Sequence, residues 1–142
     1  MSEHIRLIRS SALAEAPYAY AAMAPPGSRL VFLAGACPLD STGATRAPGD
    51  YAAQAVAALD NLEMALTEAG ALLTDVLATR VLVATAERAD LVTVWNVVAD
   101  RFGAHDVPST LLGVTVLGYP DQLVEVEAVA ALIEAEDFRP VP

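Results

Sequence analysis

The sequence predicts an α+β fold in which a mixed β-sheet is backed by two α-helices. Three observations lead to this prediction: apolar, β-branched runs lie at both ends of the chain, two longer segments repeat apolar residues at helical spacing, and neither a repeat nor a linker divides the 142 residues. Two helices are too few to cover both faces of a doubly wound sheet. We therefore expect the order ββ-α-β-α-ββ, with hairpins at both ends, in one domain spanning residues 1–142.

Two strands are predicted at the start of the chain. Residues 4–8 (HIRLI) alternate loosely, residues 30–35 (LVFLAG) form a compact apolar run, and the turn-forming sequence PPGS at 25–28 precedes the second strand. The segment 38–50 (PLDSTGATRAPGD) is rich in turn-forming residues and has no apolar period. We expect it to be an exposed loop.

The first helix is predicted between Asp50 and Gly70. The Asp50 side chain can accept hydrogen bonds from the free amides of a first helical turn, and glycine commonly ends a helix. Residues at helical spacing form one apolar face: Ala55, Leu59, Leu62, Leu66 and Ala69. Asp60, Glu63 and Thr67 lie on the opposite face, as expected of a surface helix that covers a sheet.

A central strand, a second helix and two final strands are predicted next. Residues 76–83 (VLATRVLV) are mostly β-branched and apolar. The second helix ends at Gly103, and its apolar face repeats at three and four residues: Leu91, Val94, Trp95, Val98 and Phe102. The final strands, 109–117 and 123–133, are joined by GYPDQ, which predicts a hairpin.

The composition favours a packed oligomer over a disordered chain. Hydrophobic residues make up 55% of the sequence and charged residues 18%, so we expect partner subunits to cover some apolar surface. The formal net charge of −10 repels phosphate backbones and anionic membranes, which argues against nucleic acid as a partner. The apolar runs are too short to span a bilayer.

The cysteine content and the N-terminal sequence predict a cytoplasmic protein. A single cysteine, Cys37, cannot form an intrachain disulfide, and MSEHIRLIRS lacks the long apolar stretch of a signal peptide. A lone thiol in an apolar run is usually a small buried hydrophobic group, so we assign Cys37 a structural role.

Two carboxylates on the last strand are the most unusual feature of the sequence. Glu125 and Glu127 are two residues apart and therefore point to one face, with Val124, Val126 and Ala128 on the other. One interpretation is a solvated face, the more common environment for charged strand residues. The other places one carboxylate half-buried in a cleft, where it orients water or exchanges protons near neutral pH.

Other signatures of catalysis or cofactor binding are absent from the sequence. His4, His105 and Cys37 form no zinc site or Ser-His-Asp arrangement at recognisable spacing, and there is no GxGxxG or GxxxxGK run. We expect neither a metal nor a cofactor. Asn96, on the flank of the second helix, either bonds to the backbone, the more common use, or reaches a ligand. Tyr18 is expected to be a partly buried aromatic residue with its hydroxyl in water.

Six pieces of sequence, in this order and at this spacing, resemble the RidA (YjgF/YER057c/UK114) family across nearly the whole chain. They are APY at 16–18, LAGACPLD at 33–40, QAVAALDNLEMALTEAG at 54–70, LLTDVLATRVLV at 72–83, VWNVVADRF at 94–102, and VPSTLLGV with VEVEAVA at 107–114 and 124–130. The resemblance implies a chorismate mutase-like fold, assembled as a homotrimer with ligand clefts at the subunit interfaces.

The family's best-known activity implies a function for those clefts. Such proteins hydrolyse reactive enamine and imine intermediates to a keto acid and ammonia, and they need no cofactor. The residues implied by the resemblance are Tyr18 as a cleft wall, Gly35 for backbone contacts to substrate, Asn96 nearby, and Glu125 as the holder of the attacking water. The expected partners are a small-molecule substrate and further copies of the chain.

One position departs from the family pattern. Family deaminases carry an arginine that pairs with the substrate carboxylate, two residues after the proline that precedes the penultimate strand; counting from Pro108, this position is Thr110. Threonine has no charge, so the chain resembles an arginine-lacking subgroup. Arg80 and Arg101 are alternative cations, and the sequence places neither in the cleft.

Two functions from different classes follow. The first is an imine or enamine deaminase in which Glu125 handles protons and Thr110 lies in the substrate site, acting on a substrate that lacks a carboxylate or holds it differently. The second is a non-catalytic trimer that binds a small ligand or regulates a partner. A ribonuclease, another label used for the family, is disfavoured by the net charge of −10 and the lack of a basic patch.

Overall fold

The computed structural model describes residues 4–133, and the α+β class is confirmed within them. The predicted domain 1–142 extends beyond the described residues at both ends. The elements are β1 (Arg6–Ile8), β2 (Ala21–Met23), β3 (Arg29–Phe32), α1 (Tyr51–Glu68), a short 3-10 turn (Leu73–Asp75), β4 (Val76–Ala84), α2 (Arg88–Phe102), β5 (Ser109–Val114) and β6 (Val124–Leu132). No helix in this part of the chain is long and apolar enough to cross a membrane.

The main sheet is mixed, as predicted, and has the strand order β3-β6-β4-β5. β4 pairs with β5 in parallel and with β6 in antiparallel orientation, and β6 also pairs with β3. The parallel pair arises because α2 carries the chain from β4 back to the start of β5, as a helical crossover does. β1 and β2 form a separate two-stranded ribbon.

The predicted hairpins at the two ends of the chain are wrong. GYPDQ joins β5 to β6, but these strands lie on opposite sides of β4, because the α2 crossover places β5 on one edge of β4 and leaves the other edge for β6. At the N-terminal end, β1 pairs with β2, which the sequence analysis missed, and β3 pairs with β6. β2 has only three residues, AAM, and such a short run carries no alternation.

The three predicted helix ends are confirmed. Asp50 accepts a hydrogen bond from the amide of Ala53 at 2.9 Å, and α1 is followed by Gly70 with a positive φ of 84°. α2 ends at Gly103. The two helices pack on one face of the main sheet, where the largest buried side chains include Leu59, Leu62, Leu66, Val81, Val83, Val94, Val124 and Val126.

The opposite face of the main sheet, which we call the open face, is uncovered in the single chain. Three apolar side chains on it are exposed: Phe32 by 75%, Leu30 by 56% and Leu112 by 37%. Strand register places Arg80, Thr110 and Glu127 in one row across this face, and Leu82, Leu112 and Glu125 in the next. The open face therefore carries both apolar surface and the charged residues singled out from the sequence.

Candidate active site

Glu125 lies on the open face of β6, with the fully buried Val124 and Val126 on the other side of the strand. It is half-buried, and so is Glu127. The environment therefore lies between the two interpretations of the sequence, because neither carboxylate is fully solvated in the single chain. The predicted alternation of β6 is confirmed.

Three residues surround the Glu125 carboxylate, and we call Gly35, Cys37, Gln122 and Glu125 together the carboxylate cluster. The Gln122 side-chain amide donates to Glu125 Oε1 at 3.2 Å, and the Cys37 thiol lies 3.6 Å from the same oxygen. Gln122 is itself 4% exposed and accepts a hydrogen bond from the backbone amide of Tyr119 at 3.1 Å. Two donors therefore hold Oε1 in one orientation.

Gly35 is needed because the carboxylate packs directly against its α-carbon. A β-carbon built on Gly35 would lie 2.0 Å from Glu125 Oε2 and 2.7 Å from Cδ, far inside contact distance. The resemblance assigned Gly35 a backbone contact with substrate; the described geometry adds a close contact with Glu125. Oε2 is therefore aimed at the Gly35 backbone while Oε1 is held by the side-chain donors.

The Cys37 thiol is held in its protonated form at neutral pH. Burial and, to a smaller extent, the nearby negative charge of Glu125 together raise the pKa of Cys37 to about 11. A protonated thiol can donate to a carboxylate, which is consistent with the contact to Oε1. Cys37 is half-buried, so it is more than the small buried hydrophobic group that the sequence suggested.

The carboxylate cluster includes two residues that sequence reasoning missed as neighbours of Glu125. An isolated bridge between Ala36 and Val126 brings the segment of Cys37 beside β6. Gln122 lies three residues before Glu125 in a turn, a spacing that has no meaning in a strand pattern. Gln122 is a buried polar residue in a segment that the sequence predicts to be a turn. Burial of this kind cannot be recognised from a single sequence.

Two side chains of α1 anchor the loops that carry the cluster. The Asn61 amide donates to the carbonyls of Cys37 and Leu39 at 2.8 and 2.9 Å. Gln54, which is fully buried, donates to the carbonyl of Asp121 at 2.9 Å and accepts from the amide of Leu123 at 2.7 Å. α1 therefore fixes both segments that flank Glu125.

A separate pocket of about 290 Å³ contains two more of the predicted residues. We call it the Arg80 pocket, and its walls are Tyr18, Ala19, Tyr20, Ala78, Thr79, Arg80, Pro108, Ser109 and Thr110. Tyr18 packs edge-on against Trp95 of α2, with ring centroids 6.2 Å apart. The structure thus brings Tyr18 and Thr110 together, as it brings Gly35 and Glu125 together.

The two groups are not adjacent within one chain. Thr110 lies on β5 and Glu125 on β6, with β4 between them, so two strand spacings of about 10 Å separate them. Asn96 is exposed on α2 beside Trp95 and is not part of the wall of the Arg80 pocket. The predicted site residues are therefore distributed over three places.

The two alternative arginines have clearly different environments. Arg101 donates to Glu63 Oε2 at 2.6 Å and to Asp60 Oδ1 at 2.9 Å, so it joins α2 to α1 on the helical side of the sheet. Arg80 lies on the open face, where its strand register pairs it with Thr110. Between residues 4 and 133, no group of three or more His, Cys, Asp or Glu side chains is arranged to hold a metal ion.

Comparisons with known proteins assign the chain to a family. A sequence model described as Endoribonuclease L-PSP matches residues 9–132. No curated protein matches the chain significantly. A solved Yersinia pestis protein, YyfB, described as a protein of unknown function of the conserved Rid family, is 26% identical with a TM-score of 0.81, over 92% of this chain and 100% of that one.

Two further solved structures are similar over most of their length. A Mycobacterium tuberculosis member of the YjgF/YER057c/UK114 family is 32% identical with a TM-score of 0.61, over 90% of this chain and 99% of that one. Escherichia coli TdcF, solved with bound serine, is 25% identical with a TM-score of 0.63, over 83% of this chain and 96% of that one. The matched residues, together with the two-helix mixed sheet, show that this chain belongs to the RidA (YjgF/YER057c/UK114) family.

Proposed function

We propose that this protein hydrolyses a small reactive imine or enamine without a cofactor, with Glu125 as the residue that handles protons. The observation that carries the proposal is the orientation of the Glu125 carboxylate, because Gln122 and Cys37 both hold Oε1. A carboxylate fixed through one oxygen can present the other to water with little loss of entropy on binding. Family membership supports the reaction class.

The proposed chemistry adds water to the carbon of a C=N bond. Glu125 Oε2 accepts a proton from the attacking water, the new C–O bond forms, and the C=N electron pair moves to nitrogen, which takes up a proton. The protonated Glu125 then gives its proton to the leaving nitrogen as the C–N bond of the carbinolamine breaks. The hydroxyl proton passes to solvent as the C=O bond forms, which balances the proton that nitrogen took up in the first step. An imine and one water therefore yield a carbonyl compound and ammonia, and an enamine enters the same path after protonation at carbon.

The assembly we propose is a homotrimer in which neighbouring subunits cover the open face. Phe32 and Leu30 are exposed by 75% and 56%, and contiguous apolar surface of this kind usually marks an interaction site. Covering this face would remove water from around Glu125 and strengthen its interactions with a bound substrate. The clefts of the proposed trimer would contain the carboxylate cluster and the Arg80 pocket.

The volume of the Arg80 pocket and the ligand of one solved relative narrow the range of possible substrates. A pocket of about 290 Å³ is at the lower end of small-molecule sites, so a ligand of a few carbon atoms fits better than a nucleotide. The solved TdcF structure contains bound serine. We propose a small amino-acid-derived imine as the substrate class, in a cytoplasmic setting.

The proposal is tested by ammonia release from imines generated in situ by an amino-acid oxidase. Glu125→Gln keeps the shape of the side chain but cannot accept a proton, so we expect turnover to fall by about 100-fold or more, a typical contribution of a general base. Glu68→Gln on the exposed surface of α1 is the matched control and should retain the rate of the parent. Equal rates in the parent and in Glu125→Gln would contradict the assignment.

A second candidate is a non-catalytic protein that binds a small ligand. The observation in its favour is the separation of the Arg80 pocket from Glu125 in one chain, since a ligand in that pocket need not touch the carboxylate. Saturable binding without turnover over a panel of imines and amides would favour this function. Ribonuclease activity is not proposed, because a net charge of −10 opposes binding of RNA.

A further inference from the structure

Arg80 is placed to bind an anion in a pocket that is otherwise neutral. It is the one charged residue among those that form the pocket wall, and it lies next to Thr110 in the register of β4 and β5. Its side chain is 56% exposed, so the guanidinium is accessible from the pocket without a change of fold. The pocket therefore has one accessible positive group and apolar or hydroxyl-bearing walls.

The contact of Arg80 with Glu127 leaves most of the guanidinium available. In the described part of the chain the ion pair joins Nη1 to Glu127 Oε1 at 3.3 Å, and the carboxylate is 38% exposed. An arginine has five N–H donors, and a carboxylate is best bound by two of them along one edge. A single exposed ion pair is also weak, so a ligand can share or displace it.

One hydroxyl group beside Arg80, that of Thr110, adds a neutral donor to the pocket wall. Ser109 precedes Thr110 on β5 and therefore points to the helical side of the sheet, where its hydroxyl lies 2.8 Å from that of the buried Thr79. Thr110 follows Ser109 on β5 and also lines the pocket. Tyr18 and Tyr20 form the aromatic side of the pocket, with ring centroids 5.8 Å apart.

We propose that the Arg80 pocket binds small carboxylates, with Arg80 as the group that recognises the carboxylate and Thr110 as a neutral donor. The binding itself is independent of turnover; the interpretation of the bound carboxylate as part of the substrate rests on the proposed function. If the bound carboxylate is part of the substrate, the substrate is an imino acid whose carboxylate is bound by Arg80 on β4.

The register of the sheet supports this link to the proposed chemistry. Arg80 is directly opposite Glu127 on β6, so Glu125 is its diagonal neighbour, with β-carbons about 7 Å apart. Arg80 is thus one strand closer to Glu125 than Thr110 is. A small molecule can lie between the guanidinium and the carboxylate cluster on one face.

The test is calorimetric binding of pyruvate to the intact protein, with pyruvamide as the uncharged ligand of the same shape. We expect pyruvate to bind the parent, and Arg80→Gln to weaken binding by about 10-fold or more, because a charge-assisted contact is lost. Arg88→Gln, at an exposed arginine on α2, is the matched control and should bind like the parent. Glu127→Gln removes the competing carboxylate and should tighten binding, by up to about 5-fold.

Several results would overturn the inference. These are no saturable binding of pyruvate to the parent, equal affinities for pyruvate and pyruvamide, or unchanged affinity in Arg80→Gln. Weaker binding in Glu127→Gln would also contradict it, since it would indicate that the ion pair has only a structural role. If pyruvate binds through Arg80 but no imine yields ammonia, the carboxylate site stands and the proposed function is wrong. If the protein turns over imines and Arg80→Gln leaves KM unchanged, the proposed function stands and the carboxylate site is wrong.

Discussion

The two carboxylate oxygens of Glu125 have different neighbours, and this difference is the basis of the proposed mechanism. Oε1 has two side-chain donors, Gln122 and Cys37, whereas Oε2 is aimed at the backbone of Gly35. Gln122 is a positioning residue in this account, because it acts on the reaction through Glu125. Two predictions follow at the scale of single residues.

The first concerns Gly35. In Gly35→Ala the new methyl group would overlap Glu125 Oε2, so the carboxylate must rotate away. We expect ammonia release to fall by about 10-fold or more, whereas the free energy of unfolding should change by less than the 1–3 kcal/mol typical of an overpacked core, since the end of a flexible side chain can move. Gly118→Ala, where an added β-carbon meets no atom within 4 Å, is the control. A fully active Gly35→Ala variant would contradict the proposed role of Oε2.

The second prediction concerns the reactivity of Cys37. With a pKa of about 11, roughly one thiol in a thousand is ionised at pH 8, so iodoacetamide should modify Cys37 slowly until the pH approaches 11. Removing the charge in Glu125→Gln lowers the pKa, and the rise in modification rate should move to lower pH. It should not reach the value of a free thiol, because burial is the larger cause. Mass spectrometry against pH measures this, and identical profiles in both proteins would rule out the Glu125 contact.

Some of these residues could be found from the sequence and others could not. The alternation of β6 predicted that Glu125 faces away from the core, because side chains in a strand alternate in direction. Gln122 and Cys37 reach the same oxygen only through a turn and an isolated bridge, and both depend on how distant segments meet. Periodicity contains no information about such contacts.

At the scale of elements, α1 both covers the core and supports the candidate site. Its apolar face packs on the sheet as the sequence predicted, except that Ala69 lies just beyond the helix and is exposed. Gln54 and Asn61 bind the backbone of the segments beside Glu125. These amides lie within or next to the apolar face, and the pattern analysis did not single them out. The helix is therefore predictable from spacing, and its anchoring contacts are not.

Gln54→Leu tests this anchoring. The substitution leaves the Leu123 amide and the Asp121 carbonyl without their partner, so we expect the free energy of unfolding to fall by about 1–3 kcal/mol for an unsatisfied buried group. Urea denaturation measures the change. Glu68→Leu, on the exposed side of the same helix, should change stability by about 0.5 kcal/mol or less. Equal stabilities of Gln54→Leu and the parent would show that these contacts do not anchor the loop.

The order of the strands in the sheet could not be predicted from the sequence. Adjacent strands joined by a short turn usually pair, so GYPDQ predicted a hairpin between β5 and β6. The parallel pairing of β4 and β5 instead leaves β6 to fill the other edge of β4. Which edge a strand occupies depends on all the pairings together, and no local pattern specifies it.

At the scale of the whole molecule, the open face connects the proposed assembly to the proposed activity. Phe32→Asp should convert a trimer to monomers, because a charge would be buried without a partner in an apolar interface. Light scattering measures the mass. Met64→Asp changes an apolar residue on α1 of similar exposure, 67%, and should leave the trimer intact. A monomeric parent protein would contradict the assembly outright.

The most direct test of the central claim is turnover at a low ratio of protein to substrate. An imine is generated in solution and the part that escapes hydrolysis is trapped with semicarbazide, with the protein present at about one-hundredth of the imine concentration. The account predicts that the parent removes nearly all of the imine before it is trapped, and that Glu125→Gln leaves the trapped yield equal to that of buffer alone. Removal of no more than one imine per chain, or equal removal by both proteins, would contradict catalysis by Glu125.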